Sequence, residues 1–262
     1  MNLFIHQNTP ITAEQIAQAL RQVGVAAGDT IFVHSSLMHF GSLAPNPKKE
    51  LLQAVLTLLQ GAVGAQGTLI MPTFTYSFTK NEPYDVLKSK STVGSLSEFF
   101  RKQPEVTRNE QPLFSVAAWG KNQDEIHKIG SNTFDESSIF GVLRRLNAKV
   151  LMFGAEFYDH CTFFHHIEYM AGVPYRYLKT FEGEVITQHG TSYHTATQYN
   201  VRHLNQNVVT DGKRLKAHLQ SLGLLEEVMV GNGSLELVRC QPFFEQGLKM
   251  IASDPHFMVR YQ

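Results

Sequence analysis

The chain has 262 residues, with 23 lysines and arginines against 23 aspartates and glutamates, and it carries two cysteines. This balance lacks the basic surface expected of a protein that binds nucleic acid or an anionic membrane, so we expect a small-molecule substrate. Two cysteines are too few for a disulfide framework. The sequence also shows no signal segment and no run of about 18 apolar residues, so we expect a cytoplasmic protein. The length suits one domain, residues 1–262.

Helices and strands alternate along most of the chain. Thr12 and Gln15 form a capping-box pattern before a helix that runs to about Val23, and the segment IFVH, residues 31–34, predicts the first strand. Further helices are predicted in PKKELLQAVLTLLQG, from about Ser95, and in GVLRRL, and further strands in GTLIMP, LFSVAAWG and KVLMFGAEF. The alternation predicts an α/β fold with a largely parallel central sheet flanked by helices.

The pattern changes after Pro174. Polar and apolar residues alternate in FEGEVITQHGTSYHTATQYNV, with two interrupting glycines, and this predicts a C-terminal β-hairpin elaboration. We expect residues 178–210 to form a wall on the substrate side of the domain. Two amphipathic helices, DGKRLKAHLQSLG and QPFFEQGLKMIASDP, then close the chain.

Acid and base groups are concentrated between Asp159 and Tyr169, directly after the predicted strand KVLMFGAEF. Ligands of open α/β sheets bind at such carboxyl ends of strands. If a helix begins near Asp159 or Thr162, then His165, Glu168 and Tyr169 share one face at i, i+3 and i+4. His165 can then act as a general base that Glu168 orients, because an imidazole titrates near neutral pH.

Two other interpretations of this segment stay open from the residues alone. A zinc site is one, although the spacing matches no strong zinc signature and no metal is predicted. Its candidate ligands are His160, Cys161, His165, His166 and Glu168. The other is a Cys161 nucleophile with a histidine base, because a cysteine at the start of a helix can have a lowered pKa.

Polar side chains also accompany other predicted strands. The segment HSSL, residues 34–37, follows the first strand, and Thr73 lies at the end of the second. Backbone amides at such positions can hold a phosphate, although turn chemistry explains these residues equally well. Arg108 precedes the strand that contains Ser115, and its guanidinium suits a phosphate or carboxylate, although a surface ion pair is the commoner role of an arginine.

Seven segments in the correct order resemble the aminoglycoside 3-N-acetyltransferase family. They are GDTIFVHSSL, GTLIMPTFT, SEFFRKQPEVTRNEQPLFSVAAWG, DESSIFGVL, KVLMFGAEF, CTFFHHIEYMAGVPYRY and VGNGS. The resemblance runs from about Gly28 to Pro255. It implies an acetyl-CoA-dependent N-acetyltransferase with an α/β fold unlike the common N-acetyltransferase fold. The implied partners are an acyl-CoA and an amine of an aminoglycoside or amino sugar, with no nucleic acid or membrane.

The resemblance also assigns residues. The family's Thr-x-x-His-x-x-Glu pattern falls on Thr162, His165 and Glu168, which implies that His165 is the base and Glu168 its partner. The candidate contacts with the CoA substrate are His34, Ser35, Ser36, Thr73, Arg108 and Ser115. The candidate contacts with the amine are Asp159, Cys161 and Tyr169.

Three features depart from the family pattern. Gln111 stands where many members have a histidine, Cys161 replaces an asparagine before Thr162, and GSLAPNP replaces a glycine-rich turn after HSSL. We expect Gln111 to leave the chemistry intact if His165 is the base, and GSLAPNP to change the shape of the phosphate-binding loop. We expect Cys161 to change how the amine or thioester is positioned. A Cys161-dependent thioester or amide hydrolase and a non-catalytic protein that binds CoA or a sugar are the alternative functions.

Overall fold

The computed structural model describes all 262 residues. In the first half, the elements are β1 (Asn2–His6), β2 (Thr9–Thr12), α1 (Ala13–Gln22), β3 (Thr30–Ser35), β4 (Ser42–Leu43), α2 (Lys48–Val63), β5 (Thr68–Pro72), β6 (Tyr84–Asp85), α3 (Ser95–Phe100), β7 (Thr107–Arg108) and β8 (Val116–Gly120). In the second half, they are α4 (Ile139–Arg145), β9 (Lys149–Phe153), α5 (Phe157–His160), α6 (Phe163–Ala171), β10 (Arg176–Ile186), β11 (Ser192–Arg202), β12 (Val208–Thr210), α7 (Lys213–Ser221), β13 (Leu225–Val230), β14 (Gly233–Arg239), α8 (Cys240–Ser253) and β15 (Val259–Tyr261).

A seven-stranded sheet in the order β13-β14-β9-β3-β5-β8-β7 forms the centre. Only β9, β3 and β5 run parallel to one another, and the remaining neighbours are antiparallel. The predicted α/β class with flanking helices is confirmed, but the sheet is mixed rather than largely parallel. The β13–β14 hairpin, which the sequence analysis did not predict, causes part of this difference, because its short turn around Gly231 brings β14 back antiparallel to β9.

Most of the predicted elements are present. Thr12 caps α1 in a capping box with Gln15, as the pattern indicated. The second helix continues through Gly61 and ends at Val63, with Gly64 in the left-handed region as its cap. A small N-terminal sheet, in which β1 pairs with β2 and β4, was not predicted from the sequence. Its β1–β4 pairing anchors the GSLAPNP loop to the N-terminus.

Two apolar cores lie on opposite faces of the central sheet. Along β3, Ile31 and Val33 pack in the core beneath α1 and α2, whereas Phe32 packs in the core that contains α6 and α8. Strands that are buried on both faces have continuous apolar sequences, and this explains the runs IFV in β3 and VLMF in β9. No helix combines the length and the apolar character needed to cross a membrane.

The parallel strands bring polar groups to one edge of the sheet. The carboxyl ends of β3, β5 and β9 lie together there, and β8 begins at the same edge because Val116 is the partner of Pro72. The chain leaving β9 enters α5 and then α6. This edge therefore collects the residues after three strands and the first turn of α6.

The β10–β11 hairpin, which the sequence predicted, covers this edge. Its strands span residues 176–202, so it begins and ends earlier than the predicted 178–210 segment. Gln111 fixes it to the body: its Nε2 donates to Thr197 Oγ1 at 2.8 Å, while its Oε1 accepts from the amides of Leu113 and Phe114. Gly183 allows close packing, since a Cβ there would lie 2.7 Å from the buried ring of Phe78.

We predict that Gly183→Val destabilises the protein by about 1–3 kcal/mol, because the added methyl groups would force the hairpin away from Phe78. Urea denaturation measures the loss. The matched control is Glu182→Val on the exposed neighbouring position, which should leave the midpoint nearly unchanged. Equal midpoints for the two variants would contradict the proposed close packing.

Candidate active site

His165 and Glu168 meet on α6 as the helical spacing predicted. His165 Nδ1 lies 2.8 Å from Glu168 Oε2, and the histidine side chain is 21% exposed while the glutamate is fully buried. Because an ionised carboxylate only accepts hydrogen bonds, we assign the proton to Nδ1. Nε2 then carries the lone pair, and no group of the protein hydrogen bonds to it. The ring therefore presents an available base to its surroundings.

Two residues just after α6 complete the environment of Glu168. The hydroxyl of Tyr175 donates to Oε1 at 3.0 Å. Arg176 forms an ion pair through its Nε, which lies 2.8 Å from Oε2. Its Nη2 lies 3.0 Å from His165 Nδ1, but both atoms carry hydrogen in this tautomer, so they share no hydrogen bond. The buried carboxylate thus has a histidine, a tyrosine and an arginine around it, which is what a buried charge requires.

These contacts set the charge states of the pair. Burial alone would raise the pKa of Glu168, but the Arg176 charge and the hydrogen bonds from His165 and Tyr175 outweigh burial and lower it. Burial and the Arg176 charge lower the pKa of His165 below its ordinary value, although Glu168 acts in the opposite direction. At neutral pH the pair is therefore an ionised carboxylate and a neutral imidazole, the state needed for a general base.

His165 lines an open cavity of about 440 Å³ between α6 and the hairpin. The other lining residues are Arg176, Tyr177, Lys179, Phe181, Tyr199, Val201, Arg202, Leu204 and Thr210. Aromatic and aliphatic side chains make up half of this wall and basic ones much of the rest. A small molecule in this cavity can therefore approach the base directly.

The candidate contacts at the end of β3 differ in availability. His34 is buried, its Nε2 lies 3.2 Å from Thr162 Oγ1, and burial together with the nearby His160 lowers its pKa to about 3. It is therefore neutral and does not attract phosphate by charge. Ser35 and Ser36 are partly exposed, and their hydroxyls make no hydrogen bond within the protein. Their hydroxyls are free to bind a ligand, and contact of Ser35 and Ser36 with CoA stays a prediction.

The other candidate CoA contacts form one buried network. Arg108 uses all five N–H groups internally: Nε donates to Thr73 Oγ1, Nη1 to the carbonyls of Val86 and Ser89, and Nη2 to Thr73 O and Ser115 Oγ. Thr73 and Ser115 are fully buried. Their contact with CoA stays a prediction, and the hydrogen bonding shows that Arg108 ties the ends of β5 and β8 together.

Aromatic rings connect this network to the base. The ring of Phe114, which precedes Ser115, lies 4.7 Å from that of Phe134, and Phe134 in turn lies 5.4 Å from His165 in an edge-on arrangement. Tyr199 of the hairpin packs against both phenylalanines. The strand ends and His165 therefore share one aromatic wall.

The candidate contacts with the amine are not brought together. Cys161 is 2% exposed, and burial raises the pKa of its thiol. Asp159 is exposed, and its ligand atom lies within 4.8 Å of those of Glu156 and His160. The Tyr169 hydroxyl accepts a hydrogen bond from Asn132 Nδ2 at 3.2 Å. Substrate contact by Asp159, Cys161 and Tyr169 remains a prediction.

His166, the weaker candidate in the sequence, has a structural environment. Its Nδ1 lies 2.7 Å from the carbonyl oxygen of Phe134, and its ring stacks on Phe244 at 5.1 Å. Burial lowers its pKa to about 4. It is a neutral core histidine on a different face of α6 from His165.

Sequence reasoning missed the basic residues of the site. Arg176 follows α6 by five residues, and Arg202 is its direct cross-strand partner in the hairpin. The alternation in the hairpin predicted strands, but it carried no information about their register. The sequence Val-Pro-Tyr-Arg after the His-x-x-Glu helix could have predicted Arg176. Because the chain must turn back beside the end of the helix there, this arginine is expected near Glu168.

Comparison with known proteins gives consistent results. A family model described as aminoglycoside 3-N-acetyltransferase matches residues 32–252. The SPbeta prophage-derived aminoglycoside N(3')-acetyltransferase-like protein YokD of Bacillus subtilis is 30% identical over 191 residues, which cover 64% of this chain and 67% of that protein. Aminoglycoside N(3)-acetyltransferase IV of Salmonella sp is 28% identical over 248 residues, covering 93% and 88%.

A solved structure also shares the fold. The binary complex of AAC-IIIb with CoASH has a TM-score of 0.76 to this structure at 21% sequence identity, and the match covers 93% of this chain and 97% of that one. At this identity the likeness establishes the fold alone. The α/β fold with its mixed central sheet therefore occurs in a protein that binds CoASH.

We predict that Arg176→Met destabilises the protein by about 3–5 kcal/mol, because it leaves the Glu168 carboxylate buried without its cation. The double variant Glu168→Gln/Arg176→Met should be less destabilised than the sum of its single variants, measured by urea denaturation at pH 7.5. Lys128→Met removes an exposed ion pair with Glu125 and should cost only about 0–1 kcal/mol. Strictly additive losses would contradict a coupled buried pair.

We predict that stability falls as the pH drops below about 6.5, the ordinary pKa of histidine, because the unfolded chain then binds protons that the folded chain does not. The folded pKa values are about 3 for His34 and about 4 for His166. Each histidine should therefore remove up to about 1.4 kcal/mol per pH unit between pH 6 and pH 4.

Urea midpoints at pH 7.5, 6.0 and 5.0 measure this slope. His166→Gln retains a hydrogen-bond donor for the Phe134 carbonyl but cannot titrate, so its slope between pH 6 and pH 5 should be shallower than that of the wild type. His189→Gln, at the exposed hairpin turn, is the matched control and should keep the full slope. If His166→Gln lost stability with falling pH as steeply as the wild type, His166 would not be a source of the pH dependence.

Proposed function

The chain belongs to the aminoglycoside 3-N-acetyltransferase family, and we propose that it acetylates an amine of an aminoglycoside or amino sugar, with His165 as general base. Family membership makes it an acetyl-CoA-dependent N-acetyltransferase. The relatives named above are described as aminoglycoside N-acetyltransferases, which supports this class of acceptor. Its substrates are small molecules, and we expect it to act in the cytoplasm, where its two free cysteines would stay reduced.

The observation that carries the proposal is the state of His165. Its Nδ1 is engaged by the buried Glu168 carboxylate, and its free Nε2 belongs to a ring that lines the cavity. A general base needs this division, because one nitrogen fixes the tautomer while the other accepts the proton. Glu168 also stabilises the imidazolium that forms, as the acidic member of a catalytic triad does.

Acetyl-CoA supplies an acetyl thioester, whose carbonyl carbon is the electrophile. In the proposed step, the acceptor nitrogen forms the new C–N bond while His165 Nε2 takes the proton that this nitrogen loses. The C–S bond breaks with departure of the thiolate, and the imidazolium returns its proton to the sulfur or to water. Glu168 stays ionised throughout because Arg176 and Tyr175 keep contact with it. No covalent enzyme intermediate is required.

The oxyanion that develops on the carbonyl needs a hydrogen-bond donor. The candidate donors at the strand ends are the amides near Ser35 and Ser115 and the hydroxyl of Thr73. The amide of Ser36 already donates to Phe153 O, and the Thr73 hydroxyl lies within the Arg108 network. The backbone N–H of Ser115 makes no hydrogen bond within the protein, although Ser115 is fully buried. An unpaired buried N–H is rare, so this amide is the strand-end donor left free for the oxyanion, provided that the side chains burying it give access to the thioester.

The alternative of a Cys161-dependent hydrolase has little physical support. A nucleophilic cysteine needs a lowered pKa and access to substrate. Cys161 is buried, and burial raises the pKa of its thiol. It behaves as a small apolar residue of the core that includes α6 and α8.

We predict that His165→Ala lowers kcat by about 100- to 10,000-fold, the usual contribution of a positioned general base. CoA release in the presence of a panel of aminoglycosides and amino sugars measures the rate, and calorimetric binding of CoA shows that the donor site is intact. His189→Ala is the control for the loss of a histidine elsewhere. Undiminished transfer in His165→Ala would refute the base assignment, and undiminished transfer in Cys161→Ala would exclude the hydrolase.

A further inference from the structure

The cavity in front of His165 carries an unusual charge. Its basic lining residues are Arg176, Lys179 and Arg202, and no aspartate or glutamate is among its lining residues. Glu168 is the nearby carboxylate, but it is fully buried and already surrounded by His165, Tyr175 and Arg176. The wall that an acceptor would contact is therefore positive.

The two arginines differ in how their charge is compensated. Arg176 is paired with Glu168 and its side chain is 6% exposed. Arg202 has no ion pair and no side-chain hydrogen bond in the protein. Its charge nevertheless acts on this site, since it contributes to the low pKa of His165. A partly buried guanidinium with five unused donors is available to a ligand.

The hairpin register adds a second, independent observation. Arg176 and Arg202 are direct cross-strand partners. Like charges at directly opposed positions destabilise a sheet. Lys179 adds a third cation on the same strand as Arg176, where its ammonium lies 5.0 Å from the ring centre of Phe181 rather than beside a carboxylate. Glu168 compensates the charge of Arg176 only, so an anion bound at Arg202 would compensate the charge that remains.

We infer that the acceptor amine carries an anionic group, of the kind found in a phosphorylated amino sugar, which Arg202 and Lys179 bind while the amine faces His165. This inference rests on the proposed N-acetyl transfer and specifies its substrate class. A polycationic aminoglycoside would meet uncompensated positive charge in this cavity, whereas a phosphate matches the planar guanidinium of Arg202. Tyr177, Phe181 and Tyr199 supply apolar surface for the sugar ring.

Binding experiments test the inference without requiring turnover. Glucosamine 6-phosphate, glucosamine and kanamycin are titrated calorimetrically into the protein saturated with CoA, so that the CoA phosphates already occupy their own site. We expect glucosamine 6-phosphate to bind about 10- to 100-fold more tightly than glucosamine, the effect of one or two charge-assisted hydrogen bonds. Equal affinities, tighter binding of kanamycin, or no binding of the phosphorylated sugar would overturn the inference.

Variants that reverse the charge of single residues show which side chains bind the phosphate. Arg202→Glu should abolish the preference for the phosphorylated sugar, and Lys179→Glu, an exposed position that leaves the fold intact, should reduce it. Arg21→Glu, at an exposed arginine on α1, is the matched control and should change nothing. A preference that persists in both hairpin variants would overturn the assignment to these residues.

The same variants distinguish an acceptor phosphate from the phosphates of CoA. CoA and dephospho-CoA are each titrated into wild type and Arg202→Glu, and we expect the substitution to leave both affinities unchanged. Loss of affinity for CoA but not for dephospho-CoA would assign the cations to the donor instead and overturn the inference. If no amine at all increases CoA release from acetyl-CoA, the proposed transfer fails, while the binding comparison still decides the question of charge.

Discussion

The buried carboxylate of Glu168 is the constraint on which the site depends. A fully buried negative charge is stable only when neighbouring groups replace the hydration that it lost. Those groups come from three successive pieces of chain: His165 from the helix, Tyr175 from the segment after it, and Arg176 from the first residue of β10. Satisfying one charge therefore fixes the orientation of the base and the point at which the hairpin begins.

This arrangement links catalysis to the position of the hairpin. Arg176 is held by Glu168, and its cross-strand partner Arg202 is consequently placed at the same end of the cavity. Farther along, Gln111 and Gly183 attach the hairpin to the body through Thr197 and Phe78. Gln111, where the resemblance led us to expect a histidine, has a defined structural role: its amide bonds two backbone N–H groups and one hydroxyl at once. This amide thus fastens the substrate wall to the body of the domain.

Local patterns predicted the site better than the sheet. The His165–Glu168 contact follows from helical spacing alone, and the Thr12 capping box and the buried run at 31–34 are likewise local signals. Sheet order depends on pairings between distant segments, so the antiparallel entry of β14 beside β9 could not be read from either strand. The availability of a side chain was equally hidden. Arg108 looked like a ligand for phosphate, and only the three-dimensional arrangement shows that its donors are used within the protein.

The overall charge of the chain conceals a local separation of charge. Equal numbers of acidic and basic residues suggested no preference for a charged ligand, yet the wall that faces the base contains cations without carboxylates. Electrostatic selectivity acts over distances comparable to the Debye length of about 8 Å, so the residues that line a cavity determine it and the total charge does not. Glu168 neutralises the charge of Arg176, which therefore supports His165. Arg202 has no such carboxylate, so its charge is available to a ligand. Two arginines opposite each other in one hairpin can therefore divide catalysis and recognition between them.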